Sequence, residues 1–216
     1  MKPLSLDKRA HRLAIFFAIY AVALVLMNTV ATKQIELGPF ATDPGIFVSP
    51  LVFIAQDVVT ELYGRKTARR MVYAGFVLLA ISVVVYQIAM YLPAAYWWES
   101  QAAFEAVFST TPRIALASLA AYLVGSLINV EMMARMKVRW PDALFVRALG
   151  STVVGQLVDN ALFTVLAFAL DVPWEGVLAM IVTSTVLEIG IEAGIYPATR
   201  KIIMANRDLN STSATQ

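Results

Sequence analysis

The feature that most constrains the fold is a series of six apolar blocks, each long enough for one membrane-spanning helix. A spanning helix needs about 20 mainly apolar residues, and the 216-residue sequence has such blocks at 13–32, 45–63, 70–92, 113–134, 147–170 and 175–197. Charged residues make up only 15% of the chain, against about 25% in a soluble domain. So few charges would not cover six such helices in water. We therefore predict an all-α integral membrane protein with six transmembrane helices.

Basic residues lie almost entirely on one side of these blocks. Of the 17 Lys and Arg residues, all except Lys33 and Arg113 lie in the N-terminal tail, after block six, or in the segments that follow blocks two and four. Because short basic segments stay cytoplasmic, both termini are predicted to be cytoplasmic. Residues 1–12 form a basic N-terminus, 13–200 the transmembrane domain and 201–216 a disordered cytoplasmic tail. The net charge of +2 follows from this bias and does not indicate nucleic-acid binding.

A short amphipathic helix is predicted on the outer side, within residues 93–112. Aromatic and apolar side chains recur there at helical spacing, which is typical of a helix lying in the membrane interface. They are Tyr96, Trp97, Trp98, Phe104, Val107 and Phe108.

Some residue types recur at an offset of 102 positions. Tyr20 matches Tyr122, Ser49 matches Ser151, and Asp57 matches Asp159. Two halves of three spans would have opposite orientations, so this echo is compatible with the 3+3 inverted repeat of many transporters. It is also compatible with chance, and the sequence leaves both interpretations open.

Six carboxylates lie inside the apolar blocks or at their edges. An Asp at the centre of a spanning helix costs about 2.5–3.5 kcal/mol on insertion scales, so such acids usually face the bundle interior or a wet cavity. Each pair at i, i+4 shares a helix face, which applies to Asp57 with Glu61 and to Glu188 with Glu192. The six are Asp57, Glu61, Glu131, Asp159, Glu188 and Glu192.

Other polar and small residues lie beside these acids. Asn28 and Asn129 place amides in blocks one and four. Gly190 and Gly194 form a G-x-x-x-G pattern roughly opposite the block-six acids, which predicts close helix packing. Block five carries a polar stripe at helical spacing, made of Ser151, Thr152, Gly155, Gln156, Asp159 and Phe163, with Asn160 beside it.

Structural explanations stay open for several of these residues. Glu131 and Glu192 lie near cytoplasmic helix ends and could pair with basic loop residues. Glu61 could pair with Arg65 at i+4. The two asparagines could make only interhelical hydrogen bonds. For Asp57 and Asp159 we favour a functional role, because intramembrane acids are costly to retain.

The absence of cysteine and the presence of a single histidine, His11, restrict the chemistry further. Thiolate nucleophiles, disulfides and Cys-ligated metals need cysteine, which this sequence lacks. His11 lies in the basic N-terminal tail, which does not favour a histidine metal site or a histidine-based triad. We therefore predict no catalytic residue, no metal site and no cofactor.

Three stretches resemble the queuosine precursor transporter family, which is grouped with vitamin uptake transporters. They are "DVVTELYG" at 57–64 after Pro50, "RALGSTVVGQLVDNALF" with Arg147, Ser151, Asp159 and Phe163, and "NTVATKQI" with Asn28 and Lys33. The resemblance implies salvage of 7-cyano-7-deazaguanine and 7-aminomethyl-7-deazaguanine across the bacterial inner membrane.

These ligands fit the residues that the sequence offers. A carboxylate can accept both the N1–H and the 2-amino group of a deazaguanine, while an amide donates to the O6 carbonyl and Phe163, Tyr63 or Phe53 stacks on the ring. We predict substrate binding by Asp57, Glu61, Gln156, Asp159, Asn160, Asn28 and Phe163, and proton coupling by Glu188 and Glu192. Which acid performs which task stays open.

Two other functions stay open at this stage. The chain could be the substrate-binding subunit of a modular importer, in which case a partner ATPase would act in trans because no Walker motif is present. An intramembrane enzyme is less compatible with the sequence, which lacks the rhomboid-like G-x-S-G and presenilin-like G-x-G-D motifs. The bilayer and a small molecule are the expected partners, and the sequence does not decide whether the chain forms a homo-oligomer.

Overall fold

The computed structural model describes residues 8–33, 35–37, 40–108 and 112–212. Apart from one short hairpin, these residues form helices joined by tight connections. The elements are α1 (Lys8–Val30), β1 (Ile35–Leu37), β2 (Phe40–Thr42), a 3-10 helix (Pro44–Phe47), α2 (Ser49–Tyr63), α3 (Arg65–Tyr91), α4 (Gln101–Phe108), α5 (Pro112–Arg139), α6 (Leu144–Phe168) and α7 (Trp174–Thr212). The predicted all-α class is confirmed for these residues.

Five of the described helices are long and apolar enough to cross a membrane: α1, α3, α5, α6 and α7. The second predicted span differs from them, because block two folds into the 3-10 helix followed by α2, which has 15 residues. At 1.5 Å per residue α2 is about 22 Å long, shorter than a hydrocarbon core of about 30 Å. Nine of its residues are buried, so α2 lies inside the bundle.

The ends of α2 follow from its sequence. Pro50 occupies the first turn, where the missing N–H costs no intrahelical hydrogen bond. Gly64 alone separates α2 from α3, at a φ of 82°. A side chain is strained at that angle and glycine is not, so this residue permits the sharp reversal.

Helices α5 and α6 cross at close range through two glycines. A Cβ at Gly125 would lie 2.7 Å from the Cβ of Asp159, and one at Gly155 would lie 2.8 Å from the Cβ of Asn129. The crossing therefore brings Asp159 and Asn129 against the opposite helix. Gly190 and Gly194 behave differently, since no described atom outside their own helix turns lies within 4 Å of a Cβ built there. Their predicted close packing is not made within the described part of the chain.

Two apolar clusters hold the helices together. The larger joins α1, α2, α3 and α5 around Tyr20, Leu24 and Val59. The smaller joins α2, α5, α6 and α7 around Val58, Met133, Leu144 and Ile203. The fully buried Ile203 ties α7 into the bundle, and the helix extends to Thr212. It therefore enters the segment predicted to be a disordered cytoplasmic tail, which stays a prediction, and residues 213–216 lie outside the described residues.

A helix, α4, lies within the segment 93–112, although it is shorter than that segment, and its placement in the outer interface stays a prediction. It covers eight residues, and residues 109–111 lie outside the described residues. Its aromatic side chains contact α3 and one another. The ring centroids of Phe108 and Tyr86 are 4.6 Å apart, and those of Phe104 and Phe108 are 4.7 Å apart.

Candidate functional site

A cavity of about 980 Å³ lies at one end of the helix bundle. It is bounded by the last turns of α1, α3, α4 and α6 and by the first halves of α2, α5 and α7. This size is at the upper end of the range of about 300–1,000 Å³ that is usual for small-molecule sites. The cavity is thus large enough for a bicyclic ligand with accompanying water.

The part of the α6 polar stripe from Gly155 to Phe163 faces this cavity. Five of the residues predicted to bind substrate line it: Asn28, Gln156, Asp159, Asn160 and Phe163. Glu188 of α7 lines it as well, within electrostatic range of Asp159. The structure therefore brings together one amide from α1, four residues from α6 and one acid from α7.

Two of the three acids that line the cavity, Glu188 and Asp159, are held differently. Asn160 donates from Nδ2 to Glu188 Oε2 at 2.7 Å and to Thr185 Oγ1 at 3.2 Å, which fixes the Glu188 carboxylate. Asp159 lies against Gly125, and no hydrogen bond or ion pair reaches its carboxylate from any described residue. Both carboxylate oxygens of Asp159 therefore have free acceptor capacity toward the cavity.

Two amides near Asp159 complete the polar wall. Asn129 is 6% exposed and lines the cavity, and its Oδ1 has no hydrogen-bond partner among the described residues. Asn28 donates from Nδ2 to the carbonyl of Leu24 at 2.9 Å and accepts from Ser118 at 3.3 Å. Asn28 therefore makes an interhelical hydrogen bond, as the structural alternative in the sequence analysis predicted, and it also lines the cavity.

Sequence reasoning missed several lining residues. Gln56 is buried, and its Nε2 donates to the Ser126 carbonyl at 3.1 Å. Asp43 lines the cavity from the segment before the 3-10 helix. Burial raises the pKa of the Asp43 carboxyl, while the hydrogen bond from the Gly45 amide acts in the opposite direction. The sequence could have indicated Gln56, because it is a polar residue inside the apolar run of block two. It contained no comparable indication for Asp43.

Three acids and one arginine form a second polar region, which we call the acid cluster: Asp57, Glu61, Glu192 and Arg147. Their exposed fractions are 1%, 4%, 1% and 0%. Arg147 Nη2 lies 3.2 Å from Glu61 Oε2, and Lys137 Nζ lies 3.4 Å from Glu61 Oε1. Asp57 is within electrostatic range of Glu192, Glu61 and Arg147. None of these four residues lines the cavity.

The ion pairs differ from the expected ones. Arg65 pairs with Glu131 at 3.0 Å rather than with Glu61, and Arg135 also pairs with Glu131 at 2.7 Å. The pairing of Glu131 with basic residues is therefore confirmed. The corresponding expectation for Glu192 is wrong, because both of its carboxylate oxygens are buried without a hydrogen-bond partner among the described residues. Arg147 is a buried counter-charge for Glu61, not the loop residue that the charge pattern indicated.

The aromatic residues that were predicted to stack on the ligand do not all lie at the cavity. Phe53 and Phe163 line the cavity, and Phe163 packs edge-on against Phe168 with ring centroids 5.7 Å apart. Tyr63 is elsewhere: its hydroxyl donates to the Arg9 carbonyl at 3.3 Å, and the Arg9 guanidinium lies 5.5 Å from the centre of its ring. Tyr63 is thus not positioned to stack on a ligand in the cavity.

A membrane bundle with acids buried around an internal cavity is the arrangement of a small-molecule transporter. The profile of the family described as "Putative vitamin uptake transporter" matches residues 43–202. The chain belongs to this family and is a multi-pass membrane protein. The resemblance read from the sequence motifs is thereby confirmed.

Similar proteins in three bacteria carry a more specific description. The chain is 34% identical over 155 residues to the "Probable queuosine precursor transporter" of Bacillus subtilis, covering 70% of this chain and 67% of that one. It is 26% identical over 152 residues to the "Queuosine precursor transporter" of Escherichia coli, covering 69% and 65%. It is 25% identical over 185 residues to the "Probable queuosine precursor transporter" of Haemophilus influenzae, covering 77% and 74%. No solved structure matches the chain significantly.

Proposed function

We propose that this protein imports the queuosine precursors 7-cyano-7-deazaguanine and 7-aminomethyl-7-deazaguanine across the bacterial inner membrane. The descriptions of the three relatives support this substrate class. The observation that carries the proposal for this chain is the cavity itself, which combines Asp159, a carboxylate with free acceptor capacity, with amides and aromatic rings. These groups match the edge and the faces of a deazaguanine.

Asp159 reads the guanine-like edge of the ligand in this proposal. Its two carboxylate oxygens accept the N1–H and the 2-amino group, and such charge-assisted bidentate pairs are among the strongest hydrogen bonds. Gln156 or Asn129 donates to the O6 carbonyl, and Phe53 and Phe163 enclose the ring. We do not assign Asp57 and Glu61 to substrate binding, because they lie outside the cavity lining.

Glu188 faces the same cavity but has a different task. Asn160 holds its carboxylate in place, and it is a second negative charge within electrostatic range of Asp159. The aminomethyl group of one precursor is a cation at neutral pH, whereas the nitrile of the other is uncharged. We assign Glu188 to the 7-substituent, where it favours the aminomethyl form.

The proposed topology has six crossings, with α2 and its preceding 3-10 helix forming the second, and both termini in the cytoplasm. The one-sided distribution of basic residues supports it. The cavity then opens toward the outside, the acid cluster lies toward the cytoplasm, and α4 rests in the outer interface. The exposed side chains of Tyr96 and Trp97 suit that interface.

We also propose the 3+3 inverted repeat. Tyr20 and Tyr122, which match at the offset of 102, contact each other through their hydroxyl groups at 2.7 Å. Residues related by a two-fold axis meet where the axis passes between them, so this contact supports a pseudo-two-fold axis near the middle of the bundle.

Uptake by whole cells tests the function. A strain that cannot synthesise queuosine precursors and has no partner ATPase of a modular importer would express the full chain and receive labelled 7-cyano-7-deazaguanine. We expect the label to appear in tRNA queuosine with the wild-type protein and to be lost with Asp159→Asn. Wild-type uptake only when an ATPase partner is supplied would favour a binding subunit. No uptake in either strain would contradict the proposal.

A further inference from the structure

The acid cluster carries more negative than positive charge in a place that water does not reach. Its three acids and Arg147 are all buried, whereas the nearby Lys137 is 42% exposed. If every acid were ionised, two negative charges would lack a buried counter-charge. Burying an ion without a partner costs several kcal/mol, so the fully ionised state is unfavourable.

Several buried carboxylate oxygens of the acid cluster also lack a hydrogen-bond donor. Asp57 Oδ2 and both carboxylate oxygens of Glu192 have no hydrogen-bond partner among the described residues. Arg147 Nη2 forms an ion pair with Glu61, but none of the three guanidinium nitrogens donates a hydrogen bond to a described acceptor, so the arginine does not supply the donor. Two ionised carboxylates can only accept hydrogen bonds, whereas one protonated carboxyl group donates to the other.

A metal ion fits this arrangement less well than a proton. The described His, Cys, Asp and Glu residues include no group of three that is placed to hold a metal ion. The facing charged groups are Glu61 on α2 itself, Arg147 from α6 and Lys137 from α5, which pairs with Glu61. A proton removes one negative charge, adds one donor and needs no further ligand.

We propose that Asp57 and Glu192 share a proton and that this pair is the coupling site of the transporter. In this assignment Arg147 neutralises Glu61, and the shared proton lets α2 and α7 pack together at the closed end of the bundle. Transfer of the proton to water on the cytoplasmic side breaks one O–H bond, forms a hydronium ion there and leaves two carboxylates that repel each other, which favours separation of α2 from α7. The coupling role rests on the proposed transport function, whereas the proton itself does not.

The proton can be detected without any substrate. Infrared difference spectra of the purified full-length protein, recorded between mildly acidic and mildly alkaline pH, should contain the C=O band of a protonated buried carboxyl group. We expect Asp57→Asn and Glu192→Gln each to remove the same component of this band, whereas Asp159→Asn and Glu188→Gln should leave that component unchanged. Glu131→Gln is the matched control, because Glu131 forms its ion pairs outside the cluster, and it should leave the band unchanged.

A band that is absent from the wild type, or that is unchanged in both cluster variants, would overturn the proposal. Stabilisation of the wild type by sodium ions in place of the band would overturn it as well, in favour of a cation site. If the band is found but the cells take up no deazaguanine, the proposed function fails while the proton site stands.

Transport in vesicles tests the coupling separately. With one proton per substrate, a gradient of one pH unit can sustain an accumulation of about tenfold. We expect Asp57→Asn to retain exchange of labelled for unlabelled 7-cyano-7-deazaguanine while losing this accumulation. Accumulation by Asp57→Asn equal to that of the wild type would contradict the coupling role.

Discussion

The cavity and the acid cluster both place buried acids between helices, yet their surroundings differ. In the cavity, Asp159 and Glu188 lie among amides and open space, and the described lining contains no Lys or Arg. In the cluster, Asp57 lies within electrostatic range of both Glu192 and Arg147, and α2 packs against α7 there. Carboxylates with free hydrogen-bond acceptors beside open space can bind an incoming ligand. Carboxylates with excess negative charge and no open space beside them can instead bind a proton. The same residue type therefore has two functions, which its neighbours decide.

Helix α7 shows how sharp this division is. Glu188 and Glu192 share a face, but one helical turn separates them by about 6 Å along the axis. Glu188 receives a hydrogen bond from Asn160 in the cavity, while Glu192 is buried in the cluster. Two residues that share a helix face therefore need not share a site, because they can lie at different depths along the bundle.

The largest effect is expected from Arg147→Met. Removing the arginine takes away the fully buried counter-charge of Glu61, and breaking a buried ion pair costs about 3–5 kcal/mol. Thermal unfolding in detergent should show a strongly destabilised or poorly expressed protein. The control Arg65→Met breaks a solvent-screened pair and should change stability far less.

A double variant separates charge from packing in that experiment. Adding Glu61→Gln to Arg147→Met removes the uncompensated negative charge, so stability should partly recover. If the double variant is as unstable as Arg147→Met alone, the arginine acts through its packing and the electrostatic account of the cluster is wrong.

A smaller effect should distinguish ligands in the cavity. Hypoxanthine lacks the 2-amino group of guanine, so a carboxylate that reads this edge keeps an unpaired acceptor at a cost of about 1–3 kcal/mol. Hypoxanthine should therefore compete for uptake about tenfold less well than guanine, or worse. Equal and measurable competition by both bases would rule out recognition of this edge by Asp159.

The smallest effect concerns the 7-substituent. Glu188→Gln should weaken binding of the aminomethyl precursor by several-fold, corresponding to about 1 kcal/mol for a partly solvated charge pair, and should leave the cyano precursor nearly unaffected. Competition curves with the two precursors measure this ratio directly. An equal loss for both would place Glu188 away from the 7-substituent.

The sequence predicted most of the helices because membrane crossing imposes length and composition on each one separately. The sequence also indicated which face of α6 lines the cavity, because the polar stripe from Gln156 to Phe163 interrupts an otherwise apolar helix. It could not predict that Arg147 is buried, since a basic residue at a helix end normally remains in solvent and only tertiary packing supplies Glu61 as its partner. The shortness of α2 and the α5–α6 crossing at Gly125 are likewise set by neighbouring helices.

Ligand binding to two matched variants tests the division between the cavity and the acid cluster most directly. Asp57→Asn and Asp159→Asn make the same chemical change at positions related by the offset of 102. Equilibrium binding of labelled 7-cyano-7-deazaguanine to the purified proteins should be lost, or weakened at least about tenfold, in Asp159→Asn and should stay close to wild type in Asp57→Asn. Equal loss of binding in both variants, or loss in Asp57→Asn alone, would contradict the account.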